Sequence, residues 1–188
     1  MMNTLKICRV RNVKLPTRAT SGSCGYDLYI PQDLVRLDFN KMSEIIKIDP
    51  RIEFDYNTGY LKNIFIAPGE EVLIPSGIKV KVPEGYTLKI ENKSSIATVK
   101  DLIVGACIID QDYEGEVLIN LHNVSNKKVA VLQPNDKMCQ MVLYKIDTPE
   151  IKEVETPTEL FKGNNSERQE GGFGSSGAQW LKKQLKWK

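Results

Sequence analysis

Apolar and polar positions alternate with a period of two through most of this chain. The stretches "LKICRV", "EEVLIP", "GIKVKV", "YTLKIE", "EVLINLHNV", "KKVAVLQ" and "KMCQMVLYKI" are rich in Val and Ile, the pattern of strands that bury one face. Turn signals stand between them: "SGSCG", "PEG", "SNKK" and "QPND". Many short strands with frequent turns predict an all-β fold, a sandwich or barrel. Helical patterning is confined to "DLVRLDFNKM", enough for one or two turns, and to a basic "AQWLKKQLKWK" at the end. Within 32–64, "IEFDYNTGYLKNIFI" sets two β-prone runs around Asn57-Thr58-Gly59 and predicts a hairpin. Residues 148–170 are polar, carry two prolines and predict a tether. After it comes "RQEGGFGSSG", where one Arg and one Phe sit among four glycines.

Composition narrows the class. A chain of 188 residues suits one domain. The net charge of +2 supplies no basic field for nucleic acid. No apolar run approaches the length that spans a bilayer, and "MMNTLKICRVRNVKLP" lacks the apolar core of a signal peptide. Cys8, Cys24, Cys107 and Cys139 are scattered without a C-x-x-C pair, which predicts free thiols in a reducing, cytoplasmic setting and no membrane partner. The predicted organisation is a β domain over 1–147 with 32–64 inserted, a linker and glycine-rich arm over 148–177, and a basic tail over 178–188.

Several short strings carry candidate chemistry. In "GACIIDQDYEGEV", apolar Ile108 and Ile109 lead to Asp110; a carboxylate at a strand end is partly desolvated and suits a general base. Tyr113 follows three residues on. The same string also reads as a plain hairpin whose acidic turn is shaped by Asp112 and Gly115. In "ENKSSIA", Lys93 beside Ser94 and Ser95 reads as a phosphate cradle, or as a helix start capped by Ser95. "ATSGSCGYDLYIP" is a turn and a strand carrying Asp27, and "NDKMCQMV" is a turn and a strand carrying Gln140. His122 is the only histidine, so a His-rich zinc site within one chain is excluded; it reads as an ordinary strand residue without a catalytic role.

Taken together and in order, "ATSGSCGYDL", "NKSSIA", "GACIIDQDYEGEV", "NDKMCQMV" and "RQEGGFGSSG" resemble the motifs of the trimeric dUTPase family. The match spans 19–177, and motifs in the right order multiply their separate weights. The resemblance implies a distorted jelly-roll β-barrel with a flexible C-terminal arm, assembled as a homotrimer with shared active sites. It implies hydrolysis of dUTP to dUMP and pyrophosphate. Asp110 would activate the attacking water, and Tyr113 would pack against deoxyribose. Cys107, Ile108 and Ile109 would frame uracil through backbone groups. Lys93, Ser94, Ser95 and Gln140 would contact phosphates. Asp27 would hold Mg²⁺ through water. The arm would supply Arg168 for the γ-phosphate, Phe173 to stack on uracil, and Gly174, Ser175 and Ser176 to wrap the phosphates.

The chain departs from that pattern in several places. Asn92-Lys93 stands where the family has Pro-Arg, which loses the planar guanidinium fork. Cys24 and Cys107 replace small residues, Gln169 and Glu170 stiffen and acidify the start of the arm, and 32–64 exceeds the usual connection, leaving a surface that would cap the barrel or take an unidentified partner. The basic tail with two Trp reads as solvated, or as a nucleic-acid or membrane contact. A dCTP deaminase shares the fold but needs a catalytic Glu where this chain has Asn120. A non-catalytic binding or regulatory protein on the same scaffold is the alternative of a different class.

Overall fold

The computed structural model describes residues 4–34, 52–54, 61–164 and 166. They form β1 (Lys6–Arg9), β2 (Tyr26–Tyr29), β3 (Ile52–Phe54), β4 (Leu61–Ile66), β5 (Glu71–Pro75), β6 (Ile78–Lys81), β7 (Tyr86–Glu91), α1 (Ser94–Val99), β8 (Leu102–Val104), β9 (Ile108–Ile109), β10 (Leu118–Asn123), β11 (Ala130–Leu132), β12 (Lys137–Lys145) and α2 (Pro157–Leu160). The chain divides into two compact units, Met1–Thr148 and Pro149–Lys188. In the second, Pro157 opens α2 and the Thr156 side chain accepts from the Glu159 N–H, the usual way to satisfy a first-turn donor.

Among its described residues the first unit is all-β apart from α1, as its period-two patterning predicts. Its strands hydrogen-bond in the orders β1-β6, β5-β10-β8, β11-β4-β3 and β2-β12-β7-β9, every pair antiparallel. The jelly-roll-like barrel is therefore built of separate sheets and is not closed by one continuous ladder. On β10, Ile119, Leu121 and Asn123 point inward while Leu118, Asn120 and His122 point outward. Inward residues of all the sheets meet in one core that includes Leu28, Ile64, Ile74, Leu88, Ile119, Leu132 and Met141. Asn123 is the inward-pointing polar residue of β10, and it is satisfied: its amide donates to the Ile66 and Lys128 carbonyls, and its oxygen accepts from the Ser125 N–H.

Two features depart from the simple pattern. β12 lies between β2 and β7 and buries Met138, Cys139, Met141 and Val142, and a register shift between Lys137 and Cys139 interrupts its alternation. The 32–64 segment is also not wholly peripheral. β3 and β4 pair antiparallel, as the predicted hairpin requires, and β4 continues into a ladder with β11. Leu61 and Ile64 of β4 are buried in the common core. The turn of that hairpin, the predicted helix in 33–42 beyond Leu34, and the 178–188 tail lie outside the described residues. No helix among the described residues is long and apolar enough to cross a membrane.

If β4 is a core strand, Ile64→Ala costs about 2–5 kcal/mol in unfolding free energy through the cavity it leaves. Val131→Ala, on the outward side of β11, stays within about 0.5 kcal/mol of the parent. Urea denaturation of both variants checks the contrast; equal stabilities would return 61–64 to the periphery.

Candidate active site

Asp27 is the centre of one cluster. It sits on β2 opposite Gln140 of β12, and its N–H donates to the Thr17 carbonyl. Only 3% of its side chain is exposed, yet both carboxylate oxygens are ion-paired: Oδ1 to Lys93 Nζ at 2.8 Å and Oδ2 to Lys137 Nζ at 2.8 Å. Burial alone pushes a carboxyl pKa upward. Here the Lys137 and Lys93 ammonium groups outweigh that effect and hold Asp27 below its ordinary value, while Asp27 in turn raises Lys137. Two ammonium groups against one carboxylate leave a net positive charge, and each ammonium retains donors beyond the one directed at Asp27. Gln140 joins the same cluster, its Nε2 donating to the Asn92 carbonyl at 2.9 Å.

Lys137 escaped the sequence reading for a geometric reason. Positions 137 and 140 differ by three, so a regular strand sends them to opposite faces. β12 carries a register shift between Lys137 and Cys139, which pairs Lys137 with Tyr29 and Gln140 with Asp27. Since Asp27 and Tyr29 share a face, the shift brings Lys137 and Gln140 to the same side. Nothing local in "NDKMCQMV" announces that irregularity.

Asp27 is the residue expected to meet Mg²⁺ through water. Its Oδ1 and Oδ2 each lie 2.8 Å from a lysine ammonium, and Oδ2 is buried without a well-directed hydrogen bond. Among the described residues no group of three His, Cys, Asp or Glu side chains is placed to hold a metal.

Lys93, Ser94 and Ser95 lie where β7 gives way to α1. The helix starts two residues earlier than a Ser95 cap requires. Lys93 holds the cap position in extended conformation, with no side-chain cap bond, and Ser94 and Ser95 are exposed in the first turn. Ile96 anchors the turn in the core, and Asn92 Oδ1 accepts from the Val104 N–H at 2.7 Å.

The third string forms a separate cluster. β9 is a two-residue edge strand on β7, with the Cys107 carbonyl accepting from the Ile90 N–H and the Ile109 carbonyl from Thr87 Oγ1. Ile108 is exposed and Cys107 is half-buried against the core. As an edge strand, β9 presents its outer row of backbone groups to a ligand. Asp110 follows directly and is exposed, not partly buried as its strand-end position predicts, because so short an edge strand has nothing beyond it to cover the carboxylate. A turn then brings the Tyr113 N–H to the Asp110 carbonyl, and the Tyr113 hydroxyl donates to the Glu116 carbonyl at 2.8 Å.

One chain does not bring the two clusters together. β2 and β9 are the opposite edges of the same sheet. Three interstrand spacings separate them, roughly 14 Å. Asp27 is level with Glu91 whereas Asp110 is level with Thr87, a further offset along the strands of roughly 13 Å. Asn120, at the position a deaminase would need as Glu, is an outward β10 residue hydrogen-bonded to His122 and Glu71. Arg168, Phe173, Gly174, Ser175 and Ser176 lie outside the described residues. All four cysteines are free, and burial pushes the Cys139 thiol far up.

Comparison with known proteins supplies the context. The dUTPase family model matches residues 45–177. The deoxyuridine 5'-triphosphate nucleotidohydrolase of Finegoldia magna is 31% identical over 176 residues, covering 92% of this chain and 98% of its own. The Fowlpox virus protein of the same name is 34% identical over 164 residues, covering 87% and 90%. In fold, the dUTPase of Staphylococcus bacteriophage 80alpha, solved as a mutant with dUpNHpp, superposes with a TM-score of 0.67 at 22% identity over 94% of this chain and 99% of its own. The phage phi11 dUTPase, described with a structural Mg(II) ion, superposes at 0.60 with 20% identity over 83% and 99%. With the last four of its motif strings falling inside the matched region and relatives of 30% identity or more along most of its length, this chain belongs to the dUTPase family.

Proposed function

We propose that this dUTPase-family enzyme hydrolyses dUTP to dUMP and pyrophosphate, with Asp110 as general base. The observation that carries the reading is the ion triad at Asp27: it gathers Lys93 and Lys137 into a net positive cluster beside Gln140, which suits a polyphosphate and not a neutral ligand. Asp27 is a counter-ion that orients the two lysines, and Lys93, Ser94, Ser95 and Gln140 meet the phosphates. Asp110 takes a proton from water as its oxygen bonds to the α-phosphorus; the bond from that phosphorus to the bridging oxygen breaks and pyrophosphate leaves. The edge strand at Cys107, Ile108 and Ile109 reads uracil, and Tyr113 lies against the deoxyribose. The arm supplies Arg168 and Phe173, with Gly174, Ser175 and Ser176 closing over the phosphates and excluding water.

Mg²⁺ would enter with the triphosphate and would neutralise its charge, with Asp27 the residue that would meet it through water. The site is shared in a homotrimer. That reading is supported by the distance between the two clusters in one chain and by the exposure of Asp110, which leaves the facing wall to a neighbouring subunit.

Pyrophosphate release measured with dUTP, dCTP, dTTP and UTP tests the activity: dUTP is the only efficient substrate, whereas ammonia release from dCTP would establish the deaminase reaction instead. Asp110→Asn abolishes turnover and leaves dUTP affinity within a few-fold, read by single-turnover kinetics and equilibrium binding; undiminished turnover removes Asp110 from the base role. Asp27→Asn leaves both lysines without their counter-charge. The folded Asp27 carboxyl titrates below its unfolded value, so its stabilisation is complete above that value and disappears as pH falls through the lower folded one. The stability gap between parent and Asp27→Asn therefore narrows below about pH 4, measured by denaturation at stepped pH; a gap that widens in acid contradicts the ion triad.

A further inference from the structure

Glu116 sits at the root of the turn that carries Tyr113, and three independent bonds converge on it. Its Oε1 accepts from Arg11 Nε at 2.7 Å and from the Gly77 N–H at 2.8 Å; its Oε2 accepts from Arg11 Nη2 at 3.1 Å. This is a two-pronged guanidinium–carboxylate pair, the geometry that most restricts both partners. It is also largely withdrawn from water, with side-chain exposures of 14% and 18%, so it is not a solvent-screened surface pair. Gly77 makes the third contact possible. It holds a φ of +78°, and a Cβ there would fall 2.7 Å from Val13 Cγ1, so the turn between β5 and β6 is pressed against the Arg11–Val13 segment.

The backbone at Glu116 is fixed from the other side. The Val117 N–H donates to the Ile78 carbonyl, and the Val117 carbonyl accepts from the Ser76 N–H. The Val117 N–H and the Glu116 carbonyl belong to one planar peptide. The bond to Ile78 therefore sets the direction of the carbonyl to which the Tyr113 hydroxyl donates. The Tyr113 ring is folded over Gly115, where an added Cβ would come 2.3 Å from the hydroxyl oxygen. The hydroxyl is thus engaged away from the ring's free surface, which is 39% exposed for the residue as a whole.

We propose that Arg11 and Glu116 are positioning residues that clamp Tyr113 and so set discrimination between deoxyribo- and ribonucleotides. The proposal rests on the assignment of Tyr113 to the sugar. A tethered hydroxyl leaves only the apolar ring for the 2′ position. A ribose 2′-hydroxyl placed there loses water without gaining a hydrogen bond, and a ring that cannot swing aside cannot relieve the crowding. Loosening the clamp lets the ring retreat or its hydroxyl turn toward the ribose.

The test is the ratio of kcat/KM for dUTP over UTP in Arg11→Lys, Glu116→Gln, Tyr113→Phe, Tyr113→Ala and the Glu116→Gln/Tyr113→Phe double variant, with melting temperatures alongside. Arg11→Lys keeps the charge but not the fork, and it carries the measurement if Glu116→Gln does not fold. The clamp predicts that Glu116→Gln and Tyr113→Phe each lower the ratio by about tenfold, mostly through faster UTP turnover. Because both act on one device, the double variant is no worse than the worse single variant. Lower melting temperatures with an unchanged ratio overturn the clamp, as does a multiplicative loss in the double variant. Tyr113→Ala separates the two levels: a changed ratio there with none in the Arg11 and Glu116 variants rejects the clamp alone, whereas an unchanged ratio rejects the sugar assignment and the clamp with it.

Discussion

A carboxylate almost wholly withdrawn from water must find positive partners or lose its charge. Asp27 finds two, and much of the candidate site follows from that constraint. The partners come from different parts of the chain, Lys93 ahead of α1 and Lys137 at the start of β12. Removing either would strand charge at a buried position, which is why such groups are costly to disturb even when the intact pair contributes little net stability. The same requirement makes the cluster positive overall, so the group that anchors the local structure also prepares it for an anion. The two lysines are not equally sheltered: Lys93 is the more buried and Lys137 the more exposed, which leaves Lys137 the freer to respond to a bound phosphate.

The sheet that holds Asp27 also sets the spacing of the candidate site. β12 and β7 fill the middle of the sheet, and the two candidate clusters lie on its two edges. An edge strand is where backbone groups remain available to read a base, and a turn beyond that edge is where a carboxylate can face water. Neither condition is met in the packed interior. Spreading candidate groups over opposite edges is therefore compatible with a stable core, and it is the spacing on which the proposed sharing of the site between copies rests.

The turn carrying Asp110 and Tyr113 shows the reverse balance, an exposed tip on a rigid root. Its outer residues meet solvent, while Val117 is fully packed and Glu116 is held by side chain and backbone together. Rotational freedom is removed at the base of the element, where burial makes hydrogen bonds persistent, and Asp110 and Tyr113 themselves stay accessible.

Local information was enough for a good part of this protein. The period-two stretches became β1, β5, β6, β7, β10, β11 and β12 within a few residues, because alternation across a half-buried strand is written into neighbouring positions. The order of the motif strings was likewise sufficient for the family. The short β8 and β9 carry too few residues to show a period, and the core role of β4 depends on its pairing with β11. Lys137 became a partner of Asp27 only through the irregularity in β12, which inverts the face that simple counting assigns. Arg11 and Glu116 are 105 residues apart, and no pattern along the chain connects them. Alternation is a property of adjacent residues and can be read in one dimension; ion pairs and shared edges are properties of distance in space, and only the folded sheets decide those.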